Sequence, residues 1–160
     1  MLTIGIKGTN EVVVTNELTA KNVGSGAVAV FATPMMIALM EKTCLQSVKP
    51  YLEEGQDTVG TRVDVSHSAA TPVGMTVRCE SELVEIDRRR LVFRVTARDD
   101  AGVVGEGTHE RFIVDVEKFQ AKARTRIQSQ YENGYVFMPA ILPHEKCRRE
   151  KTDKGYFQIP

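Results

Sequence analysis

The stretch TPMMIALMEKTCLQSVKP, residues 33–50, decides the fold of this chain. Thr33 suits a helix N-cap, Pro34 suits the first helical position and Pro50 ends the pattern, so the stretch predicts one helix roughly 24 Å long. Residues 35–40 are apolar on every face of that helix, which is typical of a segment that is buried all round. The rest of the chain is therefore expected to wrap around it.

Segments with β-strand character lie on both sides of the helix. We predict strands at residues 11–15, 57–67, 75–86, 90–98 and 103–116. Short turn signals join the last three of them, which predicts an antiparallel meander. One long helix set apart from five strands indicates an α+β domain, in which a curved five-stranded antiparallel sheet wraps a central helix. Such a sheet has an open edge, so we expect a homodimer or a dimer of dimers that covers it.

Alternation in the first strand after the helix predicts which of its residues share a face. Odd-numbered residues from Val59 to His67 fall on one face, and Arg62, Asp64 and Ser66 fall on the other. His67 ends the more apolar of the two faces, just before a turn.

Charge and cysteine content exclude several classes of function. The 160 residues include 21 basic and 21 acidic ones, so no global charge favours nucleic acid or a membrane surface. No apolar run is long enough to cross a membrane, and the N-terminus does not resemble a signal peptide, which predicts a cytoplasmic protein. Cys44, Cys79 and Cys147 lie far apart. We expect reduced thiols, two of them buried, with no metal site and no cofactor.

The pattern changes near residue 117. Residues 117–126 predict a short helix, and residues 127–160 show no periodicity. We therefore expect one domain over residues 1–126 and a C-terminal extension over residues 127–160. Two interpretations stay open for that extension, namely a flexible segment and an arm that packs on a partner subunit.

Glu41 is the first candidate for chemistry. It falls on the same helical stripe as Ala38, Leu45 and Val48, and a lone carboxylate on an apolar face is costly to bury unless it is paired or protonated. Such a group is a candidate functional residue. The alternative is a carboxylate that leaves the helix edge and pairs with a lysine or arginine.

His67 and Thr33 are the other candidates. A histidine at a strand end can act as a general acid or base near neutral pH, although it can also be simply hydrogen-bonded there. Thr33, whatever its capping role, lies where the free N–H groups of a helix N-terminus favour negative charge, including a developing oxyanion. His109, in the last strand, and His144, in the extension, are weaker candidates.

Five short motifs together resemble a known family. They are Leu39–Glu41, the segment PYLEEG at 50–55, Thr58–Thr61, HSAATPVG at 67–74 and GTHER at 107–111. Over roughly residues 10–125 the chain resembles the fluoroacetyl-CoA thioesterase-like proteins, which implies the hotdog fold and hydrolysis of acyl-CoA thioesters.

The resemblance also implies site residues. The threonine, glutamate and histidine that the family uses match Thr33, Glu41 and His67, while Gly60 is expected near the reacting carbonyl and Arg111 near the substrate. Thr33 and Glu41 are eight residues apart, about 12 Å along a straight helix. Substrate and His67 must therefore bridge them, unless the helix begins with a bend.

One segment departs from the family pattern. The fluoroacetyl-specific member has a longer lid with a phenylalanine, whereas residues 21–28 are shorter and contain none. We therefore expect a short or medium acyl-CoA substrate. Three rivals remain: a non-catalytic acyl-CoA binding protein, a hotdog dehydratase or hydratase, and a structural dimer module. Arg88, Arg89 and Arg90 are expected either to contact CoA phosphates or to form a solvated turn.

Overall fold

The computed structural model describes the backbone of residues 1–132 and the side chains of residues 1–126. The five strands are β1 (Lys7–Val13), β2 (Gln56–His67), β3 (Thr76–Asp87), β4 (Arg90–Asp99) and β5 (Gly102–Asp115). The helices are α1 (Ala20–Val23), the long α2 (Thr33–Val48) and α3 (Val116–Glu132), with single 3₁₀ turns at Asn16–Leu18 and Lys49–Tyr51.

The strands form one antiparallel sheet in the order β1-β3-β4-β5-β2. Its centre is the predicted meander of β3, β4 and β5, and β1 and β2 form the two edges. The sheet packs against α2 through a core that includes Leu83, Leu91, Phe93 and Val95, all fully buried. The predicted fold class, a five-stranded antiparallel sheet around one long helix, is confirmed.

Most predicted strand limits agree with the structure to within one residue, but β1 does not. We predicted residues 11–15 from their β-branched side chains, whereas the strand is Lys7–Val13. Its first half is polar and contains Gly8, so it carries little strand signal of its own. Its pairing with β3, from Lys7 opposite Glu82 to Val13 opposite Thr76, sets its length.

The N-cap of α2 is Ala32, so the predicted capping role of Thr33 is wrong. The Ala32 carbonyl accepts the backbone N–H groups of Met35 and Met36 at 2.9 and 3.0 Å. Thr33 is the first helical residue and Pro34 the second. The hydroxyl of Thr33 is consequently not committed to the helix backbone.

The apolar start of α2 is not buried all round within one chain, contrary to the prediction. Met36, Leu39, Met40, Cys44 and Val48 line the buried stripe. Ala38, on the opposite side, is exposed. A single sheet covers only one side of a helix, so within the described residues the second apolar side of α2 stays uncovered.

A β-bulge in β2 overturns the predicted alternation of that strand. The register with β5 shifts between Gly60 and Arg62. Before the bulge the even-numbered Thr58 is buried, and a Cβ on Gly60 would touch Glu41 of α2. After it, His67 contacts α2. The extra residue therefore turns Gly60 and His67 to the same face, although their numbers differ in parity.

Cys44 and Cys79 are fully buried, as predicted, and Cys147 lies outside the described residues. Burial raises the pKa of the Cys44 thiol to about 12 and that of Cys79 to about 11. Within residues 1–132, no helix is long and apolar enough to cross a membrane, and no cluster of potential metal ligands is present.

Residues Met1–Ala123 form one compact unit. The predicted helix at 117–126 lies within the longer α3. The boundary at residue 126 and the nature of the extension stay predictions, since residues 133–160, including His144, lie outside the described part of the chain.

Gly8 provides a test of the packing between β1 and α2. A Cβ at this position would lie 2.7 Å from Ser47 Cβ and 2.8 Å from the Thr43 carbonyl oxygen. We expect Gly8→Ala to lower the free energy of unfolding by about 1–3 kcal/mol, because helix backbone must move. Urea denaturation measures it. Gly26→Ala, whose Cβ would meet only Ala20 at 3.4 Å, is the control, and equal stability of the two variants would contradict this packing.

Candidate active site

Thr33 and His67 form a hydrogen-bonded pair between the first residue of α2 and the last residue of β2. The distance from Thr33 Oγ1 to His67 Nδ1 is 2.8 Å. The pair opens on a cavity of about 330 Å³. The other lining residues are small or apolar and belong to the segment before α2 and to the turn after β2: Ala20, Ser25, Gly26, Val28, Val30, Phe31, Ser68, Ala69 and Ala70.

Backbone contacts hold this pair in place. The Phe31 N–H donates to the Thr71 carbonyl at 2.8 Å, and the Ser68 N–H donates to Val104 of β5 at 2.8 Å. The Thr71 hydroxyl donates to Asp99 Oδ2 at 2.8 Å. The segment that carries Thr33 and the turn that follows His67 are thus fixed to each other and to the sheet.

His67 has a second ring nitrogen without a partner. Its Nε2 atom is buried and makes no hydrogen bond within the described residues. An unsatisfied buried polar atom costs stability, so this nitrogen is available to a water molecule, a ligand or a group of a partner chain.

Glu41 lies in a second cluster, two turns further along α2. Its Oε1 atom is 3.8 Å from Nε2 of His109. A Cβ on Gly60 would lie 2.5 Å from that same oxygen and 3.1 Å from Cε1 of His109. A side chain at position 60 would therefore displace the Glu41 carboxylate from its place between α2 and β2. We predicted that Gly60 lies near the reacting carbonyl. In the structure it lies beside Glu41 and not beside His67.

Arg111 completes the second cluster. Its Nε donates to Thr58 Oγ1 at 2.8 Å and its Nη2 to the Thr58 carbonyl at 2.7 Å. Its Nη1 donates to His109 Nε2 at 3.0 Å and, more weakly, to the backbone carbonyl of Glu41 at 3.4 Å. Burial lowers the pKa of Arg111 from its ordinary value, but a guanidinium stays charged.

His109 is neutral for two reasons. The first is burial: the residue is 1% exposed, and burial is the main cause that lowers its pKa. The second is the nearby positive charge of Arg111, which lowers the pKa of His109 further. Its Nδ1 is 2.8 Å from the Arg62 carbonyl oxygen, which can only accept, so Nδ1 carries the hydrogen. The contact with Glu41 is therefore not an ion pair between full charges.

The structure thus brings the predicted residues together in two groups, Thr33 with His67 and Glu41 with Gly60 and Arg111. Of the two interpretations left open for Glu41, the structure supports the exit at the helix edge, since 42% of its side chain is exposed, although its carboxylate pairs with no lysine or arginine among the described residues. The reason is its helical position, between the buried Met40 and the exposed Lys42, at the border of the stripe that faces the sheet.

Sequence reasoning gave His109 less weight than His67 and did not consider the contacts of Thr58. A signal was present, since His109 and Arg111 are two residues apart on a strand and must share a face. The partners of that face, Thr58 and Glu41, depend on pairing between distant segments and carried no local signal.

Of the three arginines in the predicted turn at residues 88–90, Arg90 belongs to β4. It pairs with Glu85 and Glu110 at 2.7 and 2.9 Å.

Comparison with known proteins gives a consistent result. The family described as fluoroacetyl-CoA-specific thioesterase matches residues 14–117. A fluoroacetyl-CoA thioesterase from Streptantibioticus cattleyicolor is 47% identical over 97 residues, which is 61% of this chain and 70% of the relative.

Solved structures agree in fold. That of a fluoroacetyl-CoA thioesterase superposes with a TM-score of 0.75 at 39% identity, covering 79% of this chain and 98% of the other. That of a thioesterase superfamily member from Thermus thermophilus gives a TM-score of 0.74 at 32% identity, covering 82% and 96% of the two chains.

The buried neutral histidine predicts acid sensitivity. The unfolded chain protonates this position near pH 6.5, whereas the folded chain keeps His109 neutral to lower pH, so stability falls as the pH falls below about 6.5. Besides burial, the charges of Arg111, Glu41 and Glu110 act on this ring: Arg111 lowers the pKa of His109, and the two carboxylates raise it. We expect the denaturation midpoint to drop between about pH 7.5 and 5.5, and to drop less in His109→Gln. An identical pH dependence in both proteins would contradict this assignment.

Proposed function

The chain belongs to the fluoroacetyl-CoA-specific thioesterase family. From this premise we propose that it hydrolyses a short or medium acyl-CoA thioester to the free acid and CoA. The proposed catalytic residues are Thr33, Glu41 and His67. One observation carries the proposal. In a chain of this family, a threonine hydroxyl and a histidine ring lie 2.8 Å apart at the mouth of a mainly apolar cavity. That arrangement can receive an acyl group and move a proton beside it.

In the proposed reaction, Glu41 supplies the carboxylate. It either attacks the thioester carbonyl, giving a mixed anhydride that water then hydrolyses, or it activates a water molecule for direct attack. The carbon–sulfur bond breaks in either case. His67, linked to Thr33, delivers the proton to the departing thiolate of CoA.

Gly60 is the better of the two predicted sources of an oxyanion donor. At the start of α2, Pro34 has no N–H, and those of Met35 and Met36 already bond to Ala32, so none of these three residues after Thr33 offers a free donor. In β2, the Thr58 N–H turns away from β5 and donates to Asp57. The two-residue period of a strand turns the N–H of Gly60 to the same open edge, where it can bind a developing oxyanion.

The separation of the two groups supports an oligomer with shared sites. Gly60 and His67 are seven residues apart on β2, roughly 20 Å, and β2 is an edge strand. If β2 of a second copy pairs antiparallel with it near Val63, Gly60 and Glu41 of one copy come close to His67 and Thr33 of the other. We propose that such a homodimer, alone or within a dimer of dimers, completes each site.

The segment before α2 supports a broader substrate range than fluoroacetyl-CoA. Apart from the buried Phe31, the side chains that this segment gives to the cavity wall are small or aliphatic, such as Ala20, Gly26 and Val28. Val28 is 59% exposed, so no large ring closes the cavity there. A short or medium apolar acyl chain suits this lining, and the reaction as proposed needs no cofactor.

Thiol release tests the proposed reaction. With acetyl-, fluoroacetyl-, butyryl- and hexanoyl-CoA we expect turnover of at least one ester. Glu41→Gln and His67→Ala should each lower kcat by about 100-fold or more, equal to about 2.7 kcal/mol of barrier. Lys42→Gln, which changes the exposed neighbour of Glu41, is the control and should retain activity.

Two outcomes would contradict the proposal. Binding of acyl-CoA without any turnover would favour the alternative, a non-catalytic acyl-CoA binding protein of the same fold. Turnover that neither substitution affects would show that the catalytic residues are assigned wrongly.

A mixed dimer tests whether two copies share each site. We expect each of Glu41→Gln and His67→Ala to be nearly inactive alone, and a heterodimer of the two, isolated with two different affinity tags, to regain about half of the wild-type rate because one of its two sites is intact. If both groups act within one chain, the heterodimer stays as inactive as its parents. Failure of the tags to co-purify would contradict the dimer.

A further inference from the structure

Arg111 is a buried cation bonded only to neutral acceptors among the described residues. Its four hydrogen bonds go to the hydroxyl and carbonyl of Thr58, to His109 Nε2 and to the backbone carbonyl of Glu41. The carboxylate of Glu41 makes no hydrogen bond within the same set, although its Oε1 is 3.8 Å from His109. The positive charge is thus held beside this carboxylate without occupying its oxygens.

We propose that His109 is a positioning residue for the hydrolytic reaction: as a neutral acceptor it orients Arg111, and through Arg111 it places the turn of α2 that carries Glu41. This inference rests on the proposed function. His109 itself does not exchange a proton with the substrate. It acts through the Nη1 group that it shares with the Glu41 carbonyl.

The tautomer of His109 is essential to this role. A guanidinium only donates, so Nε2 must present its lone pair to Arg111 at 3.0 Å. The Arg62 carbonyl accepts from Nδ1 at 2.8 Å and so selects that tautomer. Arg62 comes directly after the bulge in β2. The residue that follows the bulge thereby supplies the carbonyl that sets the ring.

Other forms of the ring would disrupt the cluster. The opposite tautomer would direct an N–H at the guanidinium and leave the Arg62 carbonyl facing a lone pair. A protonated ring would place two buried cations side by side, at a high electrostatic cost. In both cases Arg111 loses a partner and Glu41 loses its fixed position.

His109→Gln and His109→Asn, whose side chains differ by one methylene, separate the acceptor role of Nε2 from the donor role of Nδ1. The amide of glutamine can reach the place of Nε2 and accept from Arg111, whereas the shorter amide of asparagine reaches only that of Nδ1 and donates to the Arg62 carbonyl. On an ester that the wild type hydrolyses, we expect His109→Gln to keep kcat within about tenfold, and His109→Asn to lose about 100-fold with KM little changed.

Phe93→Leu is the matched control. Phe93 lies opposite His109 on β4 and is fully buried, so its truncation disturbs the same layer of the core without touching the Arg111 hydrogen bonds. If His109 were merely structural, Phe93→Leu and His109→Asn would lower stability and kcat in parallel. That result, or an asparagine variant as active as the glutamine one, would overturn the proposal.

A nitrogen NMR spectrum of the imidazole rings in the wild-type protein provides a second test. It does not depend on whether any substituted variant folds. The proposal requires a protonated Nδ1 and an unprotonated Nε2 for His109 at neutral pH, and a cationic ring or the other tautomer would overturn it. If the wild type hydrolyses no ester, the proposed function fails. If the wild type is active and the ring or the variants behave otherwise, only the role of His109 fails.

Discussion

The packing of one stripe of α2 against the sheet fixes the positions of Thr33 and Glu41, the two candidate catalytic residues on this helix. Met36, Met40, Cys44 and Val48 hold the helix in one rotation about its axis. That rotation leaves Thr33 at the end near the last residue of β2 and sets Glu41 at the border of the buried stripe. A change in the depth or the rotation of α2 would therefore move both groups together, although about 12 Å of helix separates them.

The same packing explains why one chain presents two separate groups of polar side chains. A straight helix cannot bring residues eight positions apart into contact, and α2 is one uninterrupted α-helix from Thr33 to Val48. Within the described residues, one sheet covers one side of α2, so Ala38 stays exposed. β2 is the last strand of that sheet, so one of its edges has no partner strand in the same part of the chain. An uncovered apolar surface and a free strand edge are both features that a second copy can bury. The shared site that we propose follows from these two features.

The cluster of Arg111, His109 and Thr58 is an expensive element in a core that is otherwise mostly apolar. Burial of a guanidinium costs several kcal/mol unless hydrogen bonds offset it, and here four are made to neutral groups. Apolar residues of similar volume would stabilise the fold at least as well in many proteins. The cost is understandable if the cluster positions Glu41 for chemistry, because satisfied polar networks are rigid.

The sequence by itself determined the helix at residues 33–48, four of the five strands to within one residue, and the meander that joins three of them. These features depend on local periodicity, proline positions and turn residues, which act over a few neighbours. The resemblance to a known family also selected Thr33, Glu41 and His67, whose catalytic roles stay predictions. The β1 strand was misplaced because pairing with β3, not its own composition, sets its length.

Only the tertiary structure decided how the site residues meet. The bulge in β2 set Gly60 and His67 on the same face, the Ala32 cap left the Thr33 hydroxyl available for His67, and Arg62 selected the tautomer of His109. Each depends on the register or contact of segments that lie far apart in the chain. A one-residue shift of a strand reverses the face of every following side chain, and no local pattern in the sequence records such a shift.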